Sequence, residues 1–463
     1  MQQKTNDRAS FGQKLAWSFG SVADQIMQNG INMLALPLYN LTLGVDPRLL
    51  GIALAVPRFI DAVTDPVMGN LSDNFRSKWG RRKPFILFGG LGCALSFLML
   101  WCPPTALSKT GLFAWFLGIA IIYYIAYTVF AVPRNALGFE LSGDYKDRNM
   151  LYAVNAVVAS ATGMLLPWLY KLSFNPLFAG VERNEVAGVR WVALICAVLI
   201  ALSVLPAVLF NRESEKALHQ QKIHFLKAAG ITLQTRPFLV VVLITFVVLL
   251  SVMLVGPMAI YINTYYLCDG DKEMGAYWGG IVGTVQAFSG LISAPLIAAL
   301  AKRFGKMRVL AGGLLLGIIG FVSTWWTYQP AYPWMQVFSM LMIQPGIGCV
   351  WVLNSSMIAD VCDYDELQTG LRREGMFGAV FTFLTKLGGS SVTLVGGYLL
   401  VFAGYVDGES VTPETVFNLR AYFAFLPAVL IAICLFAAAR YPLTEGRMVE
   451  IKEQLKQREE RGE

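Results

Sequence analysis

Three ionisable residues inside one apolar stretch define the chemistry open to this chain. Arg58, Asp61 and Asp65 fall within PRFIDAVTDPVMG at i, i+3 and i+7, so a helix presents all three on one face. Charged groups at membrane depth are costly, and they line a water-filled path or a binding cavity. Two carboxylates one turn apart can share a sodium ion, which takes several hard oxygens. They can also repel, so that one of them holds a proton near neutral pH. Pro57 and Pro66 free backbone carbonyls close by. The bland alternative is that Arg58 and Lys386 neutralise the two acids and only hold helices together. The ion-carrying reading is preferred to it, with Asp61 and Asp65 as the cation ligands.

Arg134 follows Pro133 in another apolar stretch, and its planar fork of donors suits sugar hydroxyls, carboxylates or sulfonates. Glu140 lies six residues on, roughly 240° around a helix, and so does not share its face. That leaves Asp24, reaching from another helix, or the substrate to balance the charge. The expectation is an acidic substrate, a uronide or a sulfonated sugar, clamped by Arg134; neutral glycosides bound through hydroxyls are the alternative. Lys386, within FTFLTKLGGSS, sits too deep to be filler and can pair with Asp61 or Asp65 or donate to substrate oxygens. Asp24, Arg58, Thr128, Asn135 and Trp351 complete the candidate substrate contacts. Trp17, Tyr123, Tyr124, Tyr127, Phe130, Tyr152, Phe377 and Phe381 can stack on sugar faces, although most such rings pack or form interfacial belts.

A third constellation is the loop from Asp73 to Lys83, with five basic residues and one acid. Asp73, Arg81, Arg82 and Lys83 are expected to form one arm of a gate. Asp360, Asp363, Glu366, Arg372 and Glu374 form the other, with salt bridges between half-bundles that hold one access state and break in the other. Topology alone explains part of this basic charge.

The elements that position these groups are membrane helices. The chain has 463 residues, 56% hydrophobic and 14% charged, against about 25% charged in soluble proteins. Twelve apolar segments are long enough to cross a bilayer: 17–42, 48–73, 84–104, 111–140, 150–173, 189–210, 237–266, 275–301, 308–328, 332–359, 375–404 and 416–439. They lack the two-residue alternation of barrel strands. Met1 to Lys14 is polar and has no cleavage-site pattern, so the first apolar segment is expected to stay as a membrane helix. Basic residues crowd the N-terminus, the tail and alternate loops, which places both termini in the cytoplasm. A cysteine introduced at Glu215 should therefore resist an impermeant thiol reagent added outside intact cells; labelling there would overturn the topology. The net charge of +7 sits in those loops and does not point to nucleic acid. The seven cysteines have neither metal nor disulfide spacing, and both histidines, His219 and His224, fall in a polar central loop. No activated nucleophile, metal cluster or phosphate loop suggests an enzyme.

The polar stretch between segments six and seven divides the chain into 1–210, a central loop 211–236, 237–440 and a tail 441–463. The two halves echo each other. Trp79-Gly80 before a basic pair matches Phe304-Gly305, and Gly143-Asp-Tyr-Lys-Asp147 matches Cys362-Asp-Tyr-Asp-Glu366. Two parallel six-helix halves with a site between them at mid-membrane are the major facilitator architecture.

The pattern Arg58…Asp61…Asp65-Pro66…Gly69…Asp73…Arg76…Trp79-Gly80…Lys83-Pro84 resembles the glycoside–pentoside–hexuronide:cation symporters, of which the bacterial melibiose carrier is one. So do Val132-Pro133…Asn135-Ala136-Leu137-Gly138…Glu140-Leu141…Asp144-Tyr145…Arg148, the run from Ala359-Asp360 to Glu374-Gly375, and Lys386…Gly388-Gly389. The likeness extends over the whole chain. It implies cation binding at Asp61 and Asp65, with Lys386 near the coupled site. The chain departs from the melibiose carrier in having Ala131 where that protein has an acid, and Arg134-Asn135 where it has an aromatic pair. One carboxylate fewer weakens a sodium site, makes proton coupling plausible and makes melibiose an improbable substrate. An arginine near this position is also a feature of the related sucrose carriers.

The expectation is an all-α membrane protein of twelve helices in two six-helix bundles, a multi-pass monomer of the plasma membrane, the inner membrane of a bacterium. It would import a sugar or glycoside with a proton or sodium ion by alternating access, without a cofactor. A lysolipid carrier of the same superfamily and a non-transporting nutrient sensor are the rival readings.

Overall fold

The computed structural model describes residues 10–104, 106–141, 145–181, 183–211, 230, 232–371, 373–406 and 411–461. Arg372 and nearly all of the expected central loop, His219 and His224 included, lie outside these residues. Among the described residues the chain is helical and has no strand. The first six long helices are α1 (Phe11–Ala35), α2 (Pro47–Asn74), α3 (Lys83–Trp101), α4 (Lys109–Glu140), α5 (Tyr145–Leu165) and α6 (Glu185–Leu209). The next six are α7 (Arg236–Val255), α8 (Lys272–Phe304), α9 (Lys306–Thr327), α10 (Gln336–Thr369), α11 (Glu374–Phe402) and α12 (Pro413–Ala439). They fall on the twelve apolar segments, with ends displaced by up to eleven residues. The tail forms a further helix, α13 (Glu445–Arg461).

Ten of these helices are long and apolar enough to cross a membrane. The two that fall short are α1 and α2, which carry Asp24 and Arg58, Asp61 and Asp65 respectively. These charged residues dilute the hydropathy of the helices that bear them. Their starts are fixed locally. Ser10 and Gln13 form a reciprocal capping box on α1. Asp46 caps α2 and accepts from the Arg48 amide and guanidinium, bonds that hold its carboxyl below the usual range.

The repeat seen in the sequence recurs in the backbone. Gly80 and Gly305 both take positive φ, 106° and 90°, in the turn before the third helix of each half. A π-helical segment extends α1 (Leu36–Thr42) and another follows α7 (Ile262–Leu267).

The chain separates into two compact units. The first holds α1 to α6 and also the start of α8, Asp271–Thr284; the second holds α7, the remainder of α8 and α9 to α13. In the first unit, Lys272 donates to the Leu41 carbonyl at 2.8 Å, within the π-segment, and pairs with Glu185 at 3.3 Å. Glu273 pairs with Lys171 at 2.5 Å and with Arg183 at 2.8 Å. The indole of Trp168 donates to Thr284 at 2.8 Å, and a Cβ on Gly280 or Gly283 would collide with Trp168 or Pro167. In the second unit, α13 turns Met448 and Ile451 inward, packs against α10 and bonds through Arg458 to the Leu367 carbonyl at 2.7 Å.

Candidate functional site

The candidate site of the first unit is assembled on α4, which packs closely against α2 and α3. Gly89 makes this approach possible, since a Cβ there would meet the backbone of Val129 and Phe130 at under 3 Å. Pro133 removes one ladder donor from α4, as Pro57 and Pro66 do in α2. Tyr124, Tyr127 and Thr128 are spaced i, i+3 and i+4, so one face of α4 meets α2 and α1.

Asp61 is buried on α2, and its Oδ1 accepts from the Thr128 hydroxyl at 2.6 Å. The Thr64 hydroxyl lies 3.2 Å from that of Thr128 and donates to the Asp61 carbonyl. Hard oxygens from two helices therefore converge on one carboxylate. Asp65, one turn along, is half-buried. Among the described residues there is no cluster of three or more histidine, cysteine or acidic side chains fit for a metal ion. Carboxylate plus hydroxyl is a donor set of hard oxygens. Arg58 donates from Nε to the Tyr124 hydroxyl at 3.1 Å. The ring of Tyr124 meets Tyr127 edge-on, and the Tyr127 hydroxyl donates to Asp24 Oδ1 at 3.1 Å.

Arg134 is 2% exposed. Its Nη2 donates to Ser21 Oγ and Asn155 Oδ1, both at 3.0 Å, and its guanidinium lies 4.8 Å from the centre of the Trp17 ring. The charge is balanced by Asp24, which reaches from α1 to 3.8 Å. Glu140 does not meet it and pairs instead with Arg81 and Arg82. The sequence marks Arg134 as a charge needing a partner; the fold supplies that partner internally, through Gly20, where any Cβ would strike the guanidinium. Neighbouring Asn135 is exposed.

The residues of the expected gate make bridges within each unit. Arg82 bridges Asp73 and Glu140, each at 2.9 Å, and Arg81 pairs with Glu140, all within the first unit. In the second unit Lys306 pairs with Asp360 at 2.6 Å, and Arg373 donates to Asp365 at 2.8 Å. These bridges join a loop to a helix end of the same bundle, and they recur in corresponding places of the two halves. Each of these bridges fastens parts of one half to each other. Asp363 and Glu366 are half-buried near the end of α10, and Glu374 opens α11, where a negative charge suits a helix N-terminus.

Lys386 is half-buried on α11 and Trp351 is half exposed on α10, both in the second unit. Of the ring candidates, Trp17, Tyr123, Phe130 and Phe377 are buried packing residues. Sequence reasoning missed Thr64, and it missed Ser21 and Asn155 as the seat of Arg134. The i, i+3, i+4 run of Tyr124, Tyr127 and Thr128 was the available signal.

Twelve long helices in a duplicated pattern, with charged groups buried inside, define a major facilitator transporter and not an enzyme. A family model described as MFS/sugar transport protein matches residues 16–445. The chain belongs to this family, and its likeness to the glycoside–pentoside–hexuronide:cation symporters holds. It is similar to the "Glucuronide carrier protein homolog" of Escherichia coli (strain K12), 25% identical over 96% of this chain and 95% of that one. It is similar also to the "Inner membrane symporter YicJ" of the same organism, 25% identical over 97% of this chain and 95% of that one. Among solved structures it resembles a bacterial homolog of the human lysosomal transporter Spinster, with a TM-score of 0.65 at 15% identity, over 95% of this chain and 97% of that one. That likeness concerns the fold alone.

Proposed function

We propose that this protein is a cation-coupled symporter that imports a sugar or glycoside, with the cation loading at Asp61 and Asp65. The observation that carries the reading is the Asp61 carboxylate, buried on α2 and engaged by Thr128 from α4. A charge so placed must be balanced, and a sodium ion or a proton arriving beside it would draw α2 and α4 into one arrangement. Asp61 is buried and Asp65 half-buried one turn along, so a single monovalent cation or proton arriving there would neutralise one of two neighbouring carboxylates.

Asp24, Arg58, Tyr124 and Tyr127 supply hydroxyl, carboxylate and guanidinium groups for a polyol, with Asn135, Trp351 and Lys386 as further contacts. Similarity to a glucuronide carrier homolog supports a uronide as substrate. Arg134 gives that choice no support, because Asp24 balances it, so an acidic group would have to be met by Arg58 or Lys386. Uptake into proteoliposomes of a panel of neutral and acidic methyl glycosides, under separately imposed sodium and proton gradients, tests the reading. One gradient is expected to drive accumulation of at least one glycoside. Equal uptake with and without both gradients would defeat the coupling.

A further inference from the structure

We infer that the cavity at Arg190, at the end of the first unit opposite the loop 75–82, holds the headgroup of an anionic phospholipid, with the phosphodiester on the guanidinium.

Two arginines stand in corresponding places of the duplicated halves. Arg190, near the start of α6, donates from Nη2 to the Pro103 carbonyl just past the end of α3, at 3.2 Å. Arg420, near the start of α12, donates from Nη2 to the Trp325 carbonyl in the last turn of α9, at 2.8 Å. In both halves the last helix thus closes the C-terminal end of the third, where carbonyls lack helical partners and a cation suits the dipole. In both, the arginine Nε is buried without a hydrogen-bond partner. The surroundings differ. Tyr266 and Trp325 cover the Arg420 guanidinium, their ring centres 4.2 and 4.6 Å from its carbon, and their π-faces attract its charge. Among the described residues no ring covers Arg190, and the equivalent space is a cavity of about 240 Å³ walled by Leu43, Pro104, Leu112, Asn184 and Ala187.

The cavity calls for an anion that carries an apolar body. No acid lines it, and among the described residues no carboxylate pairs with Arg190. Glu185, five residues earlier, is engaged by Thr42 at 2.5 Å, Tyr170 at 2.7 Å and Lys272 at 3.3 Å. Nη1 and the second hydrogen of Nη2 therefore keep donors for a ligand. Asn184 spends its Oδ1 on the Ala187 amide, which leaves its Nδ2 donors over. The other walls are proline and aliphatic side chains. Leu194 and Val198, one and two turns beyond Arg190 on the same face of α6, are exposed and give an acyl chain a track away from the headgroup. A phosphodiester brings the single negative charge that one arginine balances. An ethanolamine headgroup would add an ammonium for which the lining has no carboxylate, so a glycerol headgroup fits better.

Native mass spectrometry of the full-length protein in mild detergent tests this, with phosphatidylglycerol and phosphatidylethanolamine added at equal concentration. Wild type is expected to retain one phosphatidylglycerol in preference to phosphatidylethanolamine. Arg190→Gln should lower that adduct at least about fivefold, the loss of a charge-assisted bond to phosphate. Arg420→Gln removes the matching arginine of the other half, where rings fill the space, and should leave the adduct unchanged. If Arg190→Gln does not fold, Ala187→Phe fills the cavity, keeps the arginine in the chain and should give the same loss. An excess of inorganic phosphate should not displace the lipid. Displacement by phosphate that itself binds only when Arg190 is present would assign the cavity to the free anion and overturn the lipid. Equal retention of the two lipids, equal retention of phosphatidylglycerol in wild type and the folded variants, or an equal loss in Arg420→Gln overturns it too.

Discussion

Asp61→Asn is expected to abolish accumulation of substrate against its gradient while leaving the protein folded and able to exchange substrate across the membrane. The amide is close to isosteric, and its carbonyl still accepts the Thr128 hydroxyl bond seen at 2.6 Å. What it loses is the charge that a cation or proton neutralises. One monovalent cation moving down 100 mV delivers about 2.3 kcal/mol, enough for a concentration ratio of roughly fiftyfold. The variant should bring that ratio to unity in proteoliposomes while counterflow persists. Asp65→Asn should move the same way. Retained accumulation in both variants would make the carboxylates structural.

Glu140→Gln should cost the fold about 3–5 kcal/mol, the range for breaking a buried ion pair from one side. Glu140 Oε1 receives both Arg81 and Arg82, and the three side chains are 8%, 10% and 7% exposed. Its loss removes a shared counter-charge from two desolvated guanidinium groups. Asp73 is 55% exposed, so Asp73→Asn should cost about 1 kcal/mol or less. Denaturant unfolding of purified protein in mild detergent measures both. If Glu140→Gln unfolds like wild type but transports at an altered rate, the cluster is a gate and not a staple.

The contrast between these two clusters tells how far the sequence can be read. Helix positions were legible because membrane spans announce themselves by length and apolarity, and the charged face of α2 was legible because i, i+3, i+7 spacing needs no tertiary knowledge. Partner choice was not. Whether Arg134 meets Asp24, Glu140 or a ligand depends on how α1 crosses α4, which is set by Gly20 and Gly138 as places where bulk is missing. Glycine in an apolar span looks the same whether it seats a neighbouring helix or a buried arginine. The loop charges posed a similar problem: Asp73, Arg81 and Arg82 advertise bridges without saying whether these close within a half or across two.

The division of α8 between the units has a mechanical meaning. A straight helix transmits torque along its length, since its backbone bonds resist twisting far more than the side-chain contacts at either end resist sliding. The first turns of α8 are anchored in one unit by Lys272, Glu273, Gly280, Gly283 and Thr284, and its later turns belong to the other. Pro295, three turns beyond the boundary between Thr284 and Val285, removes one backbone donor from α8. The polar grip of Lys272 and Glu273 is the part that water can replace, whereas the seating of Gly280 and Gly283 on Trp168 and Pro167 is dry.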